Sequence, residues 1–200
     1  MRTYITELIG TFFLVTAIAF TGNPAAIGLT LAAAVYFGGH ISGAHYNPAV
    51  TLALFIRKKI NVNEATFYVM SQLIGAILAV YFADWYGKKF IVTVAIGVTP
   101  LQAILAEATG TFLLASVVLA VAATEKTKGN HIYGFAIGLT VTAMAFAFGS
   151  VTGGAFNPSV FIASMLRASD FSEVWIYLLG TLGGGALAGF LHKYLTEEVS

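Results

Sequence analysis

The chain lacks cysteine altogether and carries little charge of either sign. The first absence rules out disulfides and thiolate metal sites. The second rules out a water-facing surface, because only 10 Lys+Arg and 9 Asp+Glu occur in 200 residues, against 58% hydrophobic residues and a mean hydropathy of +0.85. Soluble domains keep about a quarter of their residues charged, so the solvent for most of this surface is lipid. A formal net charge of +1 leaves no basic face able to neutralise a row of phosphates, which excludes nucleic acid as a partner. Nor do a nucleophile, a base and an orienting group recur together, so nothing points to an enzyme or to a cofactor.

Charges punctuate a membrane sequence, and the runs between them count the crossings. Leu8 to Ile56 is a run of 49 residues without Asp, Glu, Lys or Arg, whereas one crossing needs about 20. Two crossings leave roughly nine residues over. Later runs of 19, 17, 17, 38 and 19 residues start at Ala65, Phe90, Ala108, Gly129 and Val174, and the run of 38 again exceeds one crossing. These runs predict six spans near residues 4–22, 25–40, 65–86, 101–123, 132–150 and 173–193, with the surplus at 41–56 and 151–166. With the N-terminus inside, Arg2, Arg57, Lys58, Lys59, Lys126, Lys128 and Lys193 collect on the cytoplasmic side, against Lys88, Lys89 and Arg167 outside. That Lys/Arg bias predicts both termini in the cytoplasm. Met1-Arg2 before an apolar stretch looks like the start of a signal peptide, but Glu7 within that stretch argues against cleavage. Short termini without a cleavable signal suit a prokaryotic inner membrane.

The chain repeats itself. Glu7-Leu-Ile-Gly10-Thr11-Phe12 returns as Glu107-Ala-Thr-Gly110-Thr111-Phe112, Gly28-Leu29-Thr30 as Gly138-Leu139-Thr140, and Gly43 to Pro48 (GAHYNP) as Gly153 to Pro158 (GGAFNP). Gln72, Gly75 and Ala79 map onto Thr181, Gly184 and Ala188 in the same order. The chain thus reads as one domain over 1–200 with halves 1–98 and 99–200. Each half holds three spans, so the second must enter the membrane from the opposite side, and a pseudo-two-fold axis in the membrane plane relates the halves. The glycines at repeat-related positions, Gly28, Gly75, Gly138 and Gly184, read as close helix contacts, as do the Gly180–Gly184 and Gly185–Gly189 spacings.

The surplus segments are related by the same repeat. Each has a glycine-rich approach, then Asn-Pro, then a short apolar stretch. Asn favours the N-cap and Pro the first helical position, so Asn47-Pro48 and Asn157-Pro158 read as starts of short helices. Nine residues at 1.5 Å each span about 13 Å, roughly half the hydrocarbon thickness. Such half-helices enter from opposite faces and meet near the midplane. Non-helical backbone at that depth must be buried or line a water-filled cavity, so the carbonyls of Gly43, Ala44 and His45 and of Gly153, Gly154 and Ala155 are expected to line a pore. His40 and His45 read as loop-bracing residues and not metal ligands, because no third ligand accompanies them.

On these residues the sequence closely resembles the aquaporin and glycerol-facilitator family, the major intrinsic proteins, over essentially its whole length. The carrying motifs are Asn47-Pro48-Ala49-Val50 and Asn157-Pro158-Ser159-Val160, the preceding His40-Ile-Ser-Gly-Ala-His45, and the Glu7/Glu107 repeat. A third copy, Asn23-Pro24-Ala25, has no glycine-rich approach and no repeat partner, and reads as a plain loop turn. The resemblance implies an all-α membrane protein with six transmembrane helices plus two re-entrant half-helices, forming a passive pore in each subunit of a homotetramer. Both half-helices would aim their positive N-terminal ends at the pore centre, repelling cations. Asn47 and Asn157 would cap those helices with the amide oxygen, leaving NH2 groups free for passing water or solute. Glu7 and Glu107 are expensive in lipid, which invites a proton-relay reading. The resemblance favours a structural one, as braces for the backbone of the re-entrant loops. Leu31 and Val141 are expected as the apolar wall facing the two Asn.

The departure lies in the outer filter. Water-selective members hold there an aromatic residue, often a His, and an Arg three residues after the second motif's Asn. Those positions fall here on Ile27, Ala145, Gly154 and Val160, so the Arg is absent. A neutral, apolar ring no longer penalises solutes larger or less polar than water, such as ammonia, urea or glycerol. The glycerol-conducting branch usually keeps the Arg and follows it with Asp, whereas this chain has Val160-Phe161. Some plant vacuolar aquaporins carry Val there. The alternative is that Phe161 or a nearby loop residue refills the gap and the pore stays water-selective. A secondary transporter would need coupling-ion ligands near the midplane, where only Glu7 and Glu107 offer carboxylates, and a structural junction protein with a narrowed pore is a third possibility.

Overall fold

The computed structural model describes residues 1–196. Eight helices follow in order: α1 (Arg2–Thr21), α2 (Pro24–Ser42), α3 (Pro48–Ile56), α4 (Val62–Trp85), α5 (Pro100–Ala122), α6 (Tyr133–Thr152), α7 (Pro158–Ala168) and α8 (Val174–Thr196), with one 3-10 turn at Glu125–Thr127. No strand occurs among the described residues. Six helices are long and apolar enough to cross a membrane, and α3 and α7, at 9 and 11 residues, are not. The expected six spans and two half-spans are therefore present, and the helices start or end within a few residues of the expected bounds.

Local chemistry explains where the helices begin. All four prolines of the chain, Pro24, Pro48, Pro100 and Pro158, open a helix. Proline at that position gives up an N–H that would have had no intrahelical partner, and its ring presets φ. Asn23, Asn47 and Asn157 stand before three of them as N-caps, and Thr99 caps the fourth in a reciprocal pair with Gln102. The third Asn-Pro-Ala copy thus does more than turn a loop: Asn23 accepts hydrogen bonds from the N–H groups of Ala25 and Ala26 and starts α2. At the other ends, Gly43 (φ 83°) and Gly153 (φ 77°) take left-handed conformations that stop α2 and α6 and turn the chain back into the protein.

Within the spans, threonine hydroxyls donate to the carbonyl one turn back, as Thr16 does to Phe12 and Thr181 to Tyr177 (both 2.7 Å), so these polar groups need no water. Large apolar side chains such as Phe13, Leu29, Phe135 and Leu187 point outward, as lipid allows.

The two halves run α1–α4 and α5–α8. In each, the first helix packs along the fourth, α1 on α4 and α5 on α8, and the halves join where α2 crosses α6. That crossing is close because Gly28 and Gly138 face each other's backbone: a Cβ on either would collide with the other's carbonyl oxygen. Gly75 sits likewise against the carbonyl of Leu8, and Gly184 against that of Ala108. Small residues at these four points let helices approach where lipid supplies no hydrophobic drive for association. The half-helices fill the centre of the bundle, α3 against α8, α5 and α4, and α7 against α4 and α8.

Candidate pore

The re-entrant segments 43–47 and 153–157 leave helical geometry where a membrane protein has least water to satisfy backbone groups. Ala44, Tyr46 and Phe156 adopt positive φ (51°, 50° and 47°), unusual for residues with a side chain. Such conformations persist only where the surroundings over-determine them. Here the surroundings are two fully buried carboxylates. Glu7 accepts the N–H groups of His45 (3.0 Å) and Tyr46 (2.7 Å), the Ser42 hydroxyl (2.6 Å) and the Gln72 amide (2.8 Å). Glu107 accepts the N–H groups of Ala155 (3.1 Å) and Phe156 (2.7 Å) and the Thr152 hydroxyl (2.6 Å). Both oxygens of each carboxylate are occupied as acceptors, an arrangement that braces the loop backbone and leaves no obvious route for a relayed proton.

Two further repeat-related elements complete the brace. The hydroxyls of Tyr68 and Tyr177 donate to the carbonyls of Ser42 and Thr152 (both 2.7 Å), tying the last residues of α2 and α6. The rings of Tyr46 and Phe156 lie over Gly10 and Gly110, where a Cβ would collide with the ring. The Gly10/Gly110 match was visible in the sequence; its purpose, room for a ring from the re-entrant segment, needed the packing.

Asn47 and Asn157 stand at the junction of the half-helices. Their amide oxygens accept the N–H groups of Ala49 (2.8 Å) and Ser159 (2.9 Å), capping α3 and α7, whose first residues are Pro48 and Pro158. Their NH2 groups are not wholly free, which corrects the expectation. Asn47 donates one hydrogen to the carbonyl of Phe156 (2.8 Å), and Asn157 one to that of Tyr46 (2.9 Å). The two re-entrant segments are thereby locked together, and one amide hydrogen on each Asn remains available.

A cavity of about 630 Å³ runs along this junction, and both Asn line it. Ile27, Ala145, Gly154 and Val160 line it together, as do Leu31 and Val141. Of the segments expected to present carbonyls, Ala44 and His45 and all of Gly153, Gly154 and Ala155 reach it. Gly43 does not; as the cap of α2 it lies off the lining, and Tyr46 lines the cavity on that side. His40 is exposed and has no hydrogen-bond partner among the described residues, so the bracing expected of it falls to Ser42, Tyr68 and Gln72. His45 does bind inward, its Nδ1 being 3.1 Å from the Thr51 hydroxyl. No cluster of metal-binding side chains occurs among the described residues.

The halves differ in chemistry. Thr51, Gln72 and His45 form a polar network with Glu7, whereas Phe161, Thr181 and Ala155 occupy the matching places in the second half. Phe161 is fully buried and stacks on Tyr177 (centroids 5.2 Å apart), so it does not refill the space beside Val160. Loop residues do enter: Lys89, Phe90, Ile91 and Val92 line the cavity, and Phe90 and Val92 share a buried cluster with Val160. Sequence reasoning named a loop residue as a candidate but had no signal for which one, since the contact joins positions about 70 apart.

Six spans, two half-spans joined through paired Asn, and a cavity along the joint define a transmembrane channel. The model of the family described as major intrinsic protein matches residues 16–192. The chain is 34% identical to the glycerol uptake facilitator protein-like 6 of Lactiplantibacillus plantarum, covering 99% of this chain and 100% of that protein. It is 38% identical to aquaporin TIP2-1 of Arabidopsis thaliana over 82% of this chain and 68% of that one. The X-ray structure of the aquaglyceroporin from Plasmodium falciparum shares the fold, with a TM-score of 0.76 at 24% identity, covering 96% of this chain and 94% of that chain. The chain belongs to the major intrinsic protein family, whose members are passive channels for water and small solutes.

Proposed function

We propose that this channel admits small neutral solutes, ammonia, urea or glycerol among them, as well as water. The observation that carries the reading is that Ile27, Ala145, Gly154 and Val160, the four expected filter positions, all line the cavity and bring to it no charge and no hydrogen-bonding side chain. A filter built of them imposes neither a fixed positive charge nor a demand for hydrogen bonding on what passes. The glycerol uptake facilitator-like relative supports it, since this chain covers its full length. We infer further that one domain over 1–200 forms one pore, that four copies assemble as in the family resemblance, and that both termini lie in the cytoplasm of a cell with this chain in its inner membrane. The Lys/Arg bias of the loops supports that orientation. A coupled transporter is disfavoured because no carboxylate lines the cavity among the described residues.

Loop residues 89–92 favour a second reading, a water-selective pore narrowed from the side. Stopped-flow light scattering on proteoliposomes separates the two. The first reading expects glycerol, urea or ammonia uptake above empty liposomes alongside osmotic water flux; the second expects water flux alone. Val160→Arg should lower solute permeability more than water permeability, by about tenfold in the solute-to-water ratio if the barrier gains about 1.4 kcal/mol. An unchanged ratio would sink the role given to Val160.

A further inference from the structure

The filter position where family resemblance leads one to expect a cation is Val160, yet the cavity does carry one formal charge. Lys89 is the single Lys, Arg, Asp or Glu among the described residues that line it. It arrives on the connection between α4 and α5, and that connection is not loose. The Val92 N–H donates to the Ser164 hydroxyl of α7 (2.7 Å), the Thr93 hydroxyl and Val94 N–H both donate to the Glu173 carboxylate (3.0 Å each), and the Ala95 N–H donates to the Val151 carbonyl (2.9 Å). Phe90 and Val92 are buried in the same apolar cluster as Val160. This stretch of loop is therefore stitched to α6, to α7 and to the connection before α8, with Lys89 one residue before its first buried side chain.

No carboxylate lines the cavity beside it among the described residues. The acidic residues of the same face are engaged elsewhere: Asp84 with Arg167 (2.6 Å), Asp170 with the Ser172 N–H (2.9 Å), and Glu173 with the loop itself. Lys89 forms no ion pair among the described residues, and its neighbour Lys88 does not line the cavity. The positive ends of α3 and α7 point into the same space from the pore centre.

We propose that Lys89 is a specificity-determining residue of this pore: its ammonium group at the extracellular mouth supplies the fixed positive charge that Val160 lacks, and so keeps cations out while neutral solutes pass. The inference rests on the channel reading above. It differs from a charge in the filter itself in one physical respect. Lys89 is exposed, so its field is screened over about 10 Å at 0.1 M salt. Exclusion of cations should therefore weaken as salt rises.

The test uses the full chain in planar bilayers and in proteoliposomes from one preparation, measuring potassium and methylammonium current and osmotic water flux. Lys89→Met should raise cation current per unit water flux by roughly five- to tenfold at 10 mM salt and by about twofold or less at 0.5 M. Lys89→Arg should match the wild type, as should Lys88→Met. Wild-type vesicles without water flux would overturn the channel reading and this inference with it. Water flux with the same cation ratio in Lys89→Met as in the wild type overturns this inference alone. So does an equal rise in Lys88→Met, because the effect would then be diffuse surface charge.

Discussion

Two fully buried carboxylates, Glu7 and Glu107, hold the re-entrant segments in place. Each holds two consecutive backbone N–H groups of a re-entrant segment that no helix or water can satisfy. Glu107→Gln keeps the size but turns one acceptor oxygen into a donor facing other donors. The cost is one unsatisfied buried group, about 1–3 kcal/mol. Thermal unfolding of the purified protein in detergent should fall accordingly, and water flux at equal protein should drop, because the Ala155 and Phe156 N–H groups lose their fixed direction. A variant with wild-type melting and flux would mean the brace is dispensable. Glu7 should tolerate the same change better, since Gln72 and Thr51 offer a polar neighbourhood that can rearrange, whereas Phe161 and Thr181 occupy the matching places around Glu107.

At the scale of elements, most helix starts were legible and most loop destinations were not. Asn47-Pro48 and Asn157-Pro158 announce α3 and α7 because capping and a preset φ are local effects, readable over two residues. The cross-links from each Asn to the opposite segment, 109 and 111 residues away in sequence, are not local and were missed. The loop between α4 and α5 shows the same limit: its composition gives no hint that it lines the cavity. Ser164 ties it to α7 at Val92. Ser164→Ala strands the buried Val92 N–H, at about 1–3 kcal/mol, and frees residues 89–92 from α7. If that loop narrows the pore, the glycerol-to-water permeability ratio should rise in stopped-flow measurements. A ratio equal to the wild type would show that the loop is a bystander at the mouth.

For the whole molecule, the absence of cysteine that excludes disulfides also provides a clean topology assay. Single-cysteine variants carry no background label. Ser172→Cys, on the loop before α8, should react with a membrane-impermeant maleimide added to intact cells, and Lys126→Cys, beyond the end of α5, only after permeabilisation. The reverse pattern would invert the orientation drawn from the Lys/Arg bias. Six crossings follow from charge spacing because a charge in hydrocarbon is costly, so charges gather at span ends and the braced Glu7 and Glu107 are the exceptions within α1 and α5. The two half-spans follow from arithmetic, since runs of 49 and 38 residues cannot be divided into whole crossings. The repeat together with three spans in each half indicated the inverted relation of the halves, which pack on each other through α2 and α6.

What the sequence by itself determined is therefore what local physics controls: the count of crossings, the helix starts, the paired half-helices and the missing charge at Val160. What only the tertiary structure decided is how distant groups meet: that Phe161 turns away onto Tyr177, that the Asn amides bind each other's segments, and that the loop carrying Lys89 joins the cavity wall. The physical reason is range. Hydropathy and capping act over one or two turns of chain, whereas a pore wall is assembled from residues whose only relation is that packing leaves them facing the same space.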